Sequence, residues 1–138
     1  MQYNNPEEYK LLKNYVGSVD RGMISPLVGY DKYKEYHDRI QNEIVGLTTS
    51  NGITIQGQSA HLLERVFGVQ NDPSHGGETR LGVDIEDIKE ALTSGKPHKV
   101  KPAENRKSQF FSGERAKVSI NPDTGIIIQC EPKRKKKG

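Results

Sequence analysis

The sequence has one cysteine, Cys130, and no tryptophan. A lone thiol excludes an intrachain disulfide and a cysteine-based metal site, and it suits a reducing compartment or a virion. No stretch approaches the roughly 18–20 apolar residues of a membrane span, so no membrane partner is expected. The opening MQYNNPEEYK lacks the apolar segment of a signal peptide. Apolar residues are scarce throughout, at 32% with a mean hydropathy of −0.80. At 138 residues the chain fits one domain with a lean core. No phosphate-binding glycine motif is present, since Gly76-Gly77 stands alone. His75 and His98 have no partners at metal-ligand spacing, so neither zinc nor any other cofactor is expected.

What is present is charge, and it is nearly balanced. Lys and Arg number 21 against 18 Asp and Glu, a formal net charge of +3, and much of the excess lies in the terminal KRKKKG. Such a tail binds phosphates electrostatically, or is simply a solvated arm. A mildly basic chain is compatible with nucleic acid without being diagnostic of it.

Periodicity divides the chain into a helical part (1–50), an α+β core (51–132) and the basic tail (133–138), within one compact domain. Pro6, Glu7 and Glu8 fit a helix N-terminus. Tyr9, Leu12, Tyr15 and Val16 follow at helical spacing, and Gly17 is expected to end the run. A second helix is expected over 31–43, with Tyr33, Tyr36, Ile40 and Ile44 on one side. Asn51-Gly52 signals a turn, and Ile53-Thr54-Ile55 is a short strand candidate. SAHLLERVFG predicts a helix over 59–67 with Ser59 as its cap, and 68–82 reads as a long polar loop. Asp84 is expected to cap a helix carrying Ile85, Ile88 and Leu92, which Gly95 ends. Strand patterns follow: weak in HKVKP, better in SQFFSG, and strongest in RAKVSINPDTGIIIQCEP, where NPDTG is a turn. The expected fold class is therefore α+β, with helices packed on one face of a small antiparallel sheet.

Three segments carry candidate chemistry. His61 and Arg65 stand four residues apart, which puts both on one face of a helix. Histidine can serve as a general base, and arginine can hold a phosphate through paired hydrogen bonds. Spacing alone favours the plainer alternative of a surface or capping histidine with Glu64 and Arg65 in solvent. In ENRKSQFFSG, the cations Arg106 and Lys107 and the hydroxyl of Ser108 precede two aromatics. They could stabilise charge at phosphorus, or form a basic loop entering a strand. Phe110 and Phe111 must face opposite ways, so one is core and the other is free to stack on a base. Asn121, Asp123 and Thr124 could suggest a ligand site, but turn formation accounts for them.

Taken in order, GITIQGQSAHLLERVFG, RLGVDIEDIKEALTSG and RKSQFFSGERAKVSINPDTGIIIQCEP resemble a domain found at the C-terminus of many phage minor head (head-morphogenesis) proteins. That domain is assigned to the BECR-type nucleases, together with barnase-like, EndoU-like, colicin-type and RelE-like RNases. The resemblance covers about residues 52–132. It implies helices on an antiparallel sheet and metal-independent RNA cleavage through the ribose 2′-hydroxyl, leaving a 2′,3′-cyclic phosphate. It makes His61 the base or acid and Arg65 the phosphate ligand. Lys107 and Ser108 would stabilise charge, and Gln129 takes the place of a final-strand hydroxyl or amide. It further implies a toxin-like effector acting on RNA such as tRNA, met by an immunity protein or by phage head proteins. Such a chain would belong to a longer protein, in a virion or the bacterial cytoplasm, or be delivered into a target cell. The contrasting expectation is a non-catalytic head or adaptor domain that binds nucleic acid or capsid partners.

Overall fold

The computed structural model describes residues 6–72, 78–80, 82–101 and 107–133. Helix α1 (Pro6–Asp20) starts as expected, with Glu7 and Glu8 in its first turn, but it runs through Gly17. A mid-helix glycine costs about 1 kcal/mol, and the packing of the following turn offsets it. Ser18 is fully buried there and Val19 packs on the core. The inward stripe is Leu11, Tyr15 and Ser18, whereas Tyr9 and Val16 of the expected stripe are exposed. Helix α2 (Tyr30–Glu43) buries Tyr33 and Ile40, and Ile44 is buried at its C-cap. Edge-on aromatic contacts join the two helices, with Tyr15 at 5.7 Å from Tyr30 and 5.3 Å from Tyr33.

The expected strand at Ile53–Ile55 is a single bridge between Thr48 and Thr54, and Ile55 turns into the core. The strand forms just downstream instead, as β1 (Gly57–Gln58). Hydrogen bonds from Gln56 N to Gly125 O and from Ser59 N to Ile127 O, both 2.8 Å, hold this segment on the last strand. Helix α3 (Leu62–Phe67) is therefore shorter than expected. Ser59 does not cap it: its hydroxyl donates to Ile128 O at 2.7 Å, and His61 occupies the N-cap position without a side-chain cap bond. The expected polar loop after it contains an antiparallel pair, β2 (Val69–Asp72) and β3 (Glu78–Arg80). His75 and Arg106 lie outside the described residues.

Helix α4 (Ile85–Ser94) buries Ile85, Ile88, Ala91 and Leu92 at helical spacing. Asp84 holds the N-cap position with extended backbone but makes no side-chain cap bond. Gly95 ends the helix with extended backbone, and a Cβ there would lie 2.8 Å from Ser112 O. Strands β4 (Lys96–Pro97), β5 (Gln109–Ser112), β6 (Ala116–Ile120) and β7 (Ile126–Pro132) follow. Pro97 sits where a proline is tolerated, on an edge strand. The β6–β7 turn is built as its sequence suggests. Asn121 Oδ1 accepts from the backbone of Asp123 and Thr124, at 2.9 and 3.3 Å, and Gly125 adopts φ 73°.

The fold class is α+β. The main sheet has the order β1-β7-β6-β5-β4; four strands are antiparallel, and β1 adds to β7 in parallel, which makes the sheet mixed. Helix α4 lies across β5 and β6, and α3 lies against β7. Helix α2 touches α3, α4 and β1, and α1 packs on α2. One hydrophobic cluster runs from Leu11 to Cys130. Phe111, Val118 and Cys130 form an aligned row on the core face, so the opposite row of Phe110, Ser119 and Gln129 projects from the other face. Phe111→Ala should therefore cost about 3–5 kcal/mol in urea unfolding. Phe110→Ala should cost about 1 kcal/mol or less, although the two residues are adjacent and chemically identical.

Candidate active site

The register of β7 positions the site. Between the pairs Ser119–Gln129 and Ile120–Ile127 one residue of β7, Ile128, is left over as a bulge. Its carbonyl is the one that takes the Ser59 hydroxyl, and this bond fixes where α3 begins. At the other end of α3, Phe67 stacks on Tyr33 at 6.4 Å and meets Tyr36 at 4.8 Å. A six-residue helix is too short to hold itself, and these two anchors set its position.

Glu64, in the first turn of α3, is buried with 4% of its side chain exposed. Its Oε2 accepts from Ser18 Oγ at 2.5 Å and Arg21 Nη2 at 2.6 Å, and it lies 3.2 Å from His61 Nδ1. Burial by itself would push the Glu64 carboxyl up. The hydrogen bonds from Ser18, His61 and Arg21, with the arginine's charge, outweigh it and hold the group below the ordinary carboxylate range. A carboxylate bonded to one imidazole nitrogen fixes the ring's orientation. The His61 ring is 66% exposed, so its other nitrogen is open to solvent and solute. Tyr33 lies nearby but is no acid–base candidate, because burial, reinforced by the charge of Glu64, pushes its phenol up to about 12.

A cleft of about 290 Å³ opens at this point, lined by Arg21, Ser59, His61, Glu64, Arg65, Ile128 and Gln129. The structure thus brings together three of the five residues expected from sequence: His61, Arg65 and Gln129. It does not bring Lys107 or Ser108 into the cleft. Lys107 Nζ lies 3.4 Å from Asp123 Oδ2 at the β6–β7 turn, and Ser108 pairs through its backbone with Lys101. Both residues precede β5, two strands away from β7, at the end of the sheet where the β6–β7 turn lies. Arg21 and Glu64 were not found from sequence. The His61–Glu64 spacing of three residues on a helix was the available signal for Glu64. Arg21 had none, because it arrives from the far end of α1.

A second depression, about 320 Å³, lies between α1, α2 and β1, and His37 borders it. That histidine meets the exposed Asp38 at 3.2 Å rather than a buried carboxylate, so it has no comparable anchor. Among the described residues no three of His, Cys, Asp and Glu are grouped to hold a metal ion, and no helix is long and apolar enough to cross a membrane. The chain matches no protein-family model, no curated protein and no solved structure.

The lowered Glu64 carboxyl makes acid stability a direct readout of this network. The unfolded carboxyl titrates near pH 4.3, so the network's contribution is complete above that pH. It is lost as pH falls through the lower folded value, because the unfolded chain takes up the proton first. In Glu64→Gln the loss of stability as pH falls below about 4.3 should become shallower than in wild type, as read by thermal unfolding at a series of acid pH values.

Proposed function

We propose that the protein is a metal-independent endoribonuclease that cleaves RNA through the ribose 2′-hydroxyl. The observation that carries this reading is one constellation. An exposed His61 ring is bonded through Nδ1 to the buried Glu64 carboxylate, at the edge of a cleft that also presents Arg21 and Arg65. A positioned base beside two cations suits a phosphodiester, whose reacting centre is anionic and gains charge as it becomes pentavalent. The resemblance of segments 52–132 to BECR-type nucleases supports the same reaction class.

In this reading His61 takes the proton from the 2′-hydroxyl, and the 2′-oxygen attacks the adjacent phosphorus. The bond from phosphorus to the 5′-oxygen breaks. The proton returns to that departing oxygen from the imidazolium or through water, leaving a 2′,3′-cyclic phosphate and a 5′-hydroxyl. Arg65 binds the phosphate, and the Gln129 amide donates to a phosphoryl oxygen. Arg21 and Glu64 orient His61 and set the local field. Lys107 and Ser108 take no part at phosphorus. The wider setting, a toxin-like or phage-head effector with RNA such as tRNA as its target, rests on the sequence resemblance.

The test is cleavage of tRNA and total RNA in EDTA, with product termini identified by chemical end analysis. Wild type should yield cyclic phosphate ends. His61→Ala should be slower by about 10²–10⁴-fold, and Arg65→Ala by about 10²–10³-fold. Salt-dependent binding without turnover by wild type at high enzyme concentration would reject the enzyme and point to a non-catalytic adaptor domain instead.

A further inference from the structure

The open face of the sheet carries an aromatic site that the cleft chemistry does not use. Phe110 is one of the two residues in the central row that remain partly exposed, and two ammonium groups reach its ring from different segments. Lys117 Nζ, from β6, lies 4.5 Å from the ring centroid, and Lys101 Nζ, from the segment bridged to Ser108, lies 5.3 Å away. Lys101 is exposed and Lys117 partly so. The core-face neighbour Phe111 is fully buried, so Phe110 is not needed to fill the interior.

The ring is aligned with the cleft. Phe110 pairs with Ser119, and Ser119 pairs with Gln129, which itself lines the cleft. Two strand spacings, about 10 Å, separate the aromatic from the cleft glutamine. Between them Ser119 Oγ is buried with no hydrogen-bond partner among the described residues. Two lysines thus gather on a partly exposed ring.

We propose that Phe110 is a stacking platform for an unpaired base of single-stranded RNA, with Lys101 and Lys117 binding the flanking phosphates. The proposal builds on the ribonuclease reading and gives its substrate class: RNA whose bases are free to splay out, with the scissile phosphate in the cleft and a neighbouring base on the ring. Bases have π-faces whatever their identity, so the platform confers a preference for single strands rather than for a sequence. The lysines then exchange ring contact for phosphate contact, which makes the site salt-dependent. A duplex keeps its bases stacked inside and cannot use the ring.

The experiment is fluorescence anisotropy with a labelled 2′-O-methyl hexanucleotide, which cannot be cleaved through the 2′-oxygen, on wild type and variants that retain wild-type circular dichroism. Phe110→Ala should weaken binding by about tenfold or more, and Phe110→Tyr should restore it. Lys101→Ala with Lys117→Ala should weaken binding and reduce the slope of log affinity against log salt by about 1.4, near 0.7 for each phosphate contact. A fully abasic strand of equal length should bind wild type and Phe110→Ala alike. Unchanged binding by Phe110→Ala, equal losses in Phe110→Ala and Phe110→Tyr, or no binding by wild type would each overturn the platform. The two readings separate cleanly. RNA cleavage with Phe110→Ala indistinguishable from wild type removes the platform and leaves the ribonuclease. Phe110-dependent binding with no cleavage of natural RNA does the reverse.

Discussion

A single buried carboxylate holds the site together. Glu64 Oε2 gathers a hydroxyl and a guanidinium from the end of α1 and the imidazole of His61 from the start of α3. Burying a charge is tolerable only where hydrogen bonds and an opposite charge compensate for lost water, and here both come from a distant segment. The arrangement therefore makes the N-terminal helices part of the site. Without Ser18 and Arg21 the carboxylate would have to protonate or move, and His61 would lose the group that aims it. The run of α1 past Gly17 carries Ser18 in its last turn and Arg21 just beyond its end, which delivers both donors to the carboxylate.

The sheet adds a second constraint, the bulge at Ile128. An extra residue in β7 leaves a carbonyl that accepts from the Ser59 hydroxyl just before α3, which packs against β7. The alternation of β5 and β6 then separates two functions on adjacent residues. Phe111 and Val118 close the core under α4, while Phe110 and Lys117 remain on the face that adjoins the cleft. Core stability and surface chemistry can vary independently because successive side chains in a strand point opposite ways.

Most of the framework was legible in the residues. Ala116-Val118-Ile120 and the NPDTG turn determine the β6–β7 hairpin, and Ile85-Ile88-Leu92 determines α4, because periodicity 2 and periodicity 3.6 are local properties of the chain. The composition likewise determined a lean, single core, and adjacency alone required Phe110 and Phe111 to diverge. His61 and Arg65 were identifiable as residue types suited to phosphate chemistry, whereas Gln129 entered only through the family resemblance.

Only the tertiary structure decided which of those residues meet. It brought Arg21 to Glu64 across 43 positions and left Lys107 on Asp123 at the hairpin turn. It turned the expected Ile53–Ile55 strand into a bridge followed by a parallel edge strand, and moved the start of α3 from Ser59 to Leu62. The physical reason is common to all four. A backbone group or a charge is satisfied by whatever partner packing brings within hydrogen-bond distance, and a partner far away in sequence leaves no periodic trace at either end.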